Sequence, residues 1–477
     1  VFALLTACSP AAEISPASTL ALPTAAIIDR ATAAPAEASE AAATENAEVA
    51  PAAWPERTRY TIEVNMAGVS TLHASAEVDY LNTTGQTLET LPFVLYAPVE
   101  WYRIESVLGG APSFSPIRDY TLSNGLLQVP LNAPLEPGER TTLTLYYQLS
   151  TPPRGLSGYA QRQAHFVYWY PFVPPTDTNG NWLIHTAGDV GEHIPQEQAD
   201  FDVIVRVDNP ALQIIAPGAV SVMDTGARVE LRNARHMMFT LSSELIFSEE
   251  TINGVLVRSW YYPEHEEAGL QALAVAGEAL ALYGDLLAPY PYDSLILMEG
   301  YINDGLEGDA GFFLDAFYYN AYDGTPQNYL TALTAHEVAH AWFYGMVGND
   351  PALEPWLDEA LATYLEYLYY ESYHPELADW WWAWRIDPYP VGGWVNSTIY
   401  DHREFRGYVG AVYFRGARFL HALRGELGDE TFFAFLRAYA ESNRDALATR
   451  ADFFYLLGQF THADLSALID FYFTPWR

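Results

Sequence analysis

Lysine is absent from this 477-residue chain: all 23 basic residues are arginine, set against 60 acidic ones, for a formal net charge of −37. Acidic content is ordinary for a globular protein, in which about a quarter of residues are charged, so the imbalance comes from the shortage of bases. Biased genomic base composition is the plainer source of that shortage, and adaptation to salt the other. Either way nucleic acid is excluded as an expected partner, because neutralising phosphates takes clustered Lys and Arg.

Cysteine is nearly absent too. Cys8 is alone, so no intrachain disulfide can form. No apolar run after the N-terminal residues is long enough to span a bilayer, and no internal repeat is found. The setting of Cys8 is informative. Val1-Phe2-Ala3-Leu4-Leu5 is apolar, and Leu5-Thr6-Ala7-Cys8 resembles a bacterial lipoprotein cleavage box. The resemblance implies lipidation of the Cys8 thiol, a lipid anchor to the membrane and an extracytoplasmic location; the alternative is a remnant of an ordinary signal peptide.

Four segments follow from composition and period. Residues 1–8 are the signal remnant. Residues 9–55, dominated by Ala, Pro, Ser, Thr and Glu, cannot bury enough apolar surface to fold and read as a disordered tether. Residues 56–255 carry short runs of period-two alternation, at Arg59–Val64, Ala76–Leu81, Thr141–Leu149, Asp202–Val207 and Val255–Tyr261, separated by Gly, Pro and Asn clusters. They predict an antiparallel β domain. Residues 256–477 turn mainly helical: Glu264–Leu287 has a long Ala/Leu-rich helical pattern, and one strand is expected at Ser294–Met298 before a Gly-rich stretch from Gly300 to Gly311. The fold class is α+β.

The chemistry is carried by His336-Glu337-Val338-Ala339-His340, with Glu359 after eighteen intervening residues. Positions four apart share a helix face, so both imidazoles can grip one ion. Two His and one carboxylate form the open zinc set, leaving a fourth position for water. Glu337 can then reach that water as a general base. Thr325-Pro326 predicts the start of this helix and Gly345 its end, and Pro355-Trp356 starts a second helix that brings in Glu359.

These segments resemble the aminopeptidase N family of gluzincin zinc metallopeptidases. The resemblance rests on the zinc signature, on Trp356-Leu357-Asp358-Glu359-Ala360, on Pro291-Tyr292, and on Tyr413-Phe414-Arg415-Gly416-Ala417, which is similar to the family's Tyr-x-Lys-Gly segment. It implies a thermolysin-like catalytic domain, one zinc held by His336, His340 and Glu359, peptide substrates, and Tyr413 as the hydrogen-bond donor to the oxyanion, with Tyr408 as its rival. Gly305-Leu306-Glu307-Gly308 stands where the family has Gly-Ala-Met-Glu-Asn. Glu307 is kept and is expected to bind the substrate's free amine, the alternative being a solvated loop acid beside Asp304 and Asp309. The replaced neighbours leave an open-cleft endopeptidase as the rival activity, and a non-catalytic scaffold as a further one. The chain stops at Arg477, where the family continues into a helical domain, so a more open cleft is expected.

Glu366, seven residues past Glu359 on the same face, is a candidate partner for a ligand imidazole, or else one half of a surface ion pair. The Trp380-Trp381-Trp382-Ala383-Trp384 run reads as core packing, and as an aromatic wall in the alternative. His185 and His193 have no third ligand at a compelling spacing and read as ordinary polar residues.

Overall fold

Period-two alternation in the first half becomes sheet. In the computed structural model, which describes residues 57–475 except 111–113, 154, 161, 390 and 391, the strand Arg59–Ala67 buries Tyr60, Ile62, Val64 and Met66 and exposes the residues between them. It sits near the middle of an eight-stranded sheet. From one edge to the other the strands are Ala219–Met223, Gly226–Ala234, Ala199–Arg206, Arg59–Ala67, Thr71–Leu81, Arg140–Ser150, Tyr102–Gly109 and Ser115–Ile117. Cys8 and the segment 9–55 lie outside the described residues.

The expected antiparallel β domain contains one parallel pair of strands among the described residues. Arg59–Ala67 runs parallel to Ala199–Arg206, pairing Ile62 with Val203 and Val64 with Val205. A parallel pair needs a long crossover, and everything between residues 67 and 199 supplies it. Smaller sheets of three and four strands complete this half. Its core is aromatic: Tyr60 stacks on Phe201 at 5.2 Å, and Trp169 meets Phe239 edge-on at 5.3 Å.

The hairpin Ile246–Ile252 and Val255–Tyr261 opens a five-stranded sheet, continued by Ser294–Gly300, Gly311–Asp315 and, at the edge, Gly305–Leu306. The change of architecture thus falls ahead of residue 255, because the strand after it needs this hairpin partner. Val255–Tyr261, Ser294–Gly300 and Gly311–Asp315 are parallel, and Leu295–Gly300 is wholly buried, as parallel strands covered by helices are. The helix Glu266–Leu286 covers the sheet closely. A Cβ at Gly269 would come within 2.1 Å of the Tyr261 ring, so glycine is what permits the approach.

Two further helices carry the motif. Tyr329–Ala339 is buried from Leu330 to Ala339, with the polar Thr331, Thr334, His336 and Glu337 included. It starts later than Thr325-Pro326 predicts. Thr325 turns back to Asp323 through its hydroxyl at 2.7 Å, and Asn328 caps the helix instead, accepting from Thr331 N at 2.9 Å. It also ends before Gly345, with His340 as its C-cap residue. The chain then closes wide turns in which Gly345 N reaches His340 O at 2.8 Å and Val347 N reaches Trp342 O at 2.8 Å. The second helix, Trp356–Tyr373, begins after Pro355 as expected. No helix among the described residues is long and apolar enough to cross a membrane.

Candidate active site

The helices Tyr329–Ala339 and Trp356–Tyr373 pack against one another and bring three donor atoms together. His336 Nε2 lies 3.1 Å from His340 Nε2. Glu359 Oε2 lies 3.4 Å from the former and 3.7 Å from the latter. A tetrahedral zinc with bonds of about 2.0–2.1 Å has donors about 3.3 Å apart, which is the size of this triangle. Glu359 Oε2 is buried and has no hydrogen-bond partner, a costly state for a carboxylate oxygen unless a cation takes it. The donor set and its spacing therefore fit a zinc ion.

Of the two imidazoles, only His340 is hydrogen-bonded from behind; His336 Nδ1 is buried without a hydrogen-bond partner. His340 Nδ1 is 2.6 Å from Asp358 Oδ1, and His336 Nδ1 is 3.6 Å from Glu366 Oε2. Glu366 is fully buried and accepts from Trp381 Nε1 at 2.7 Å and Arg385 Nε at 3.0 Å. Of the two readings of Glu366, the surface ion pair is the one the burial rules out. The Trp380–Trp384 run has one side in the core: Trp381 is fully buried, while Trp380 and Trp384 stack at 4.7 Å and Trp384 covers Tyr329 at 4.4 Å.

Glu337 is buried, with Oε2 unpartnered. Burial raises its pKa well above the ordinary carboxylate range, with Glu307 and Glu359 adding to the rise. Room for it is made by the edge strand: a Cβ at Gly305 would meet Glu337 Oε1 at 2.0 Å. Glu307 is 8% exposed, not a solvated loop acid, and one oxygen of Glu307, one of Glu337 and one nitrogen of His340 all lie within 4.8 Å of one another. Its neighbour Asp309 anchors the loop, accepting from Arg235 N at 2.8 Å, His236 N at 3.0 Å and Tyr292 Oη at 2.9 Å.

Both rival tyrosines reach the site. The Tyr413 hydroxyl donates to Glu359 Oε1, and its ring lies parallel to that of His336 at 6.1 Å. Tyr408 is buried and meets the Tyr413 ring edge-on at 5.7 Å. Asp358 and Glu192 were not singled out by sequence. Glu192, from the segment before Ala199–Arg206, accepts from the Tyr168 hydroxyl at 3.3 Å; burial raises its pKa, with Glu307, Asp358 and Glu359 adding to the rise. Only the signal of an acid directly before a ligand could have pointed to Asp358, and Glu192 sits in an aperiodic loop with none. His185 and His193 stay apart from this cluster: His185 pairs with Asp350 at 2.8 Å, and His193 stacks on Tyr96 at 5.3 Å.

Residues 317–472 match the model of the peptidase family M1 domain, a stretch that includes His336, Glu337, His340, Glu359 and Tyr413. Glu192 and Glu307 lie outside the matched stretch, in loops that precede it. The chain is 26% identical over 272 residues to aminopeptidase N of Lactococcus lactis, covering 51% of this chain and 32% of that one. It is 26% identical over 223 residues to aminopeptidase M1 of Arabidopsis thaliana, covering 43% and 25%. The matches thus span about a third or less of these relatives' length. In structure, the chain resembles a mutant of the M1 zinc metallopeptidase from Deinococcus radiodurans, with a TM-score of 0.64 at 18% identity, over 88% of this chain and 94% of that one. The same mutant bound to a Tyr-Ser-Ala substrate gives a TM-score of 0.63 at 20% identity, over 86% and 92%. The N-terminal β region followed by a mainly helical region agrees with these neighbours.

Proposed function

We propose that the protein is a zinc-dependent aminopeptidase that removes N-terminal residues from peptides. The observation that carries this reading is the placement of Glu307 within reach of Glu337 and His340, beside the His336–His340–Glu359 triangle. When bound, zinc would supply the Lewis acidity that polarises the scissile carbonyl and lowers the pKa of water toward ~7. His336, His340 and Glu359 would hold it. Glu337 takes the proton from the attacking water and passes it to the leaving amine. Tyr413 turns its hydroxyl from Glu359 to the developing oxyanion. Glu307, with Glu192 nearby, presents negative charge to a substrate ammonium, which favours a free N-terminus over an internal bond. The M1 domain match and the aminopeptidase names of the relatives support the same activity. The experiment is metal analysis with a panel of aminoacyl reporter substrates. One zinc per chain, loss of activity with a chelator and recovery on re-addition are expected; stoichiometric zinc in a His336→Ala, His340→Ala double variant would contradict the ligand assignment.

The endopeptidase reading keeps one observation in its favour, the Leu306 and Gly308 that stand in place of the family's Met and Asn. The location is also part of the proposal: a lipid on Cys8 would hold the enzyme at the outer side of the cell membrane, supported by Leu5-Thr6-Ala7-Cys8 and the Ala/Pro-rich segment after it. Cys8→Ser should move the protein from the membrane fraction to the soluble one, and an unchanged distribution would overturn the anchor.

A further inference from the structure

Seven non-glycine residues among those described have a positive φ, and five of them are Asn or Asp, which tolerate that region. The other two are Tyr168, at φ 52°, and Tyr344, at φ 136°. Bulky residues held there mark places where the surroundings over-determine the backbone, and such places cluster at functional sites. These two tyrosines meet on one histidine. The Tyr168 ring lies 5.0 Å from that of His236, and the Tyr344 hydroxyl lies 2.6 Å from His236 Nδ1. Tyr344 follows His340 by four residues, and its carbonyl accepts from Arg235 Nε at 2.6 Å.

From His236 the contacts run toward both acids of the cleft. The Tyr168 hydroxyl lies 3.3 Å from each oxygen of Glu192. The His236 backbone N–H donates to Asp309, two residues after Glu307. Glu307 is buried and Glu192 half-buried, and the two carboxylates repel each other; a hydroxyl donated to Glu192 offsets that cost. Burial lowers the His236 pKa and keeps the ring neutral, so it contributes orientation and not charge.

We propose that Tyr168 is a positioning residue for substrate binding: packed on the His236 ring that Tyr344 holds, it keeps the Glu192 carboxylate beside Glu307 so that the pair receives a peptide's N-terminal ammonium. This rests on the aminopeptidase reading above.

The test compares wild type, Tyr168→Phe, Glu192→Gln and the double variant on an aminoacyl substrate and on its des-amino analogue, with zinc content and melting temperature followed in parallel. Tyr168→Phe should raise KM for the free-amine substrate by ~10-fold and leave kcat within about threefold, with zinc and the des-amino reaction unchanged. The double variant should match Glu192→Gln alone, because Tyr168 acts through Glu192; a merely structural role gives additive losses. Additive losses, an unchanged KM, or an equal rise for the des-amino analogue would overturn the proposal. If Tyr168→Phe does not fold, Tyr344→Phe must raise KM in the same selective way, and an unchanged KM there overturns it as well. A wild type that cleaves both substrates equally overturns the amine-binding reading, and this inference with it. A wild type that prefers the free amine while Tyr168→Phe behaves identically overturns this inference alone.

Discussion

Asp358 Oδ1 lies 2.6 Å from His340 Nδ1, and Asp358 is the residue directly before Glu359. One helical turn therefore supplies both a carboxylate for the metal triangle and the carboxylate that orients its most buried imidazole. Burial alone would lower the His340 pKa; the Asp358 carboxylate reverses this and holds it well above the ordinary value. The bond fixes the ring with Nε2 toward the triangle and makes it the stronger donor. Asp358→Asn should weaken zinc binding by ~10–100-fold, the range for such supporting carboxylates. Competition with a chromophoric chelator measures it, and wild-type affinity in the variant would refute the role.

Glu337→Gln should separate metal binding from turnover. The side chain is buried beside the triangle without belonging to it. The variant should keep one zinc and a normal fold, and lose kcat by roughly 10³-fold or more, since the base is gone and the ligands are not. Near-normal turnover would remove Glu337 from the mechanism.

Gly305→Ala probes the same carboxylate from the strand side. Its methyl group would sit 2.0 Å from Glu337 Oε1. Displacing the base by about 1 Å costs on the order of 100-fold in rate. Activity should fall with zinc retained, and a fully active variant would show that the base tolerates displacement.

A pH-dependent stability is expected from Glu299, which is fully buried and bonds to Tyr262 N at 2.9 Å and His265 Nδ1 at 2.7 Å. Burial raises its pKa from 4.5 to about 7, against the bonds from Tyr262 and His265. Between those values the folded state keeps a proton that the unfolded state has lost, so this group makes stability fall as pH rises from 4.5 to 7. Glu299→Gln cannot titrate. Relative to wild type it should gain up to about 3 kcal/mol between pH 4.5 and pH 8. Denaturant melts at the two pH values measure the gain, and a difference that does not change with pH contradicts the assignment.

The parts legible in the sequence were those written in local spacing. His336 and His340 share a face because of the helix period, and Glu366 follows Glu359 by two turns for the same reason. The strands between Arg59 and Tyr261 announced themselves by alternating apolar residues, which the burial pattern matches. What stayed hidden was long-range. Strand polarity leaves no trace in alternation, so the parallel pairing of Arg59–Ala67 with Ala199–Arg206 could not be read. Glu192 sits in an aperiodic loop, and only the fold brings its carboxylate to the Tyr168 hydroxyl, 3.3 Å away. The motif helix began three residues late because Asn328 outcompeted Thr325 for the cap, a contest between two good capping residues that propensity alone does not decide.

The central claim is that the carboxylates beside the metal triangle select a free N-terminus. The most direct measurement is kcat/KM for one peptide in free-amine and N-acetylated forms, on zinc-loaded wild type and on Glu307→Ala. The account predicts that wild type prefers the free amine strongly, that Glu307→Ala loses ~10²-fold on it, roughly 3 kcal/mol, and that the N-acetylated peptide remains a poor substrate for both. Equal cleavage of the two forms by wild type, with internal bonds cut as readily as the first, would contradict the account and leave an endopeptidase in its place.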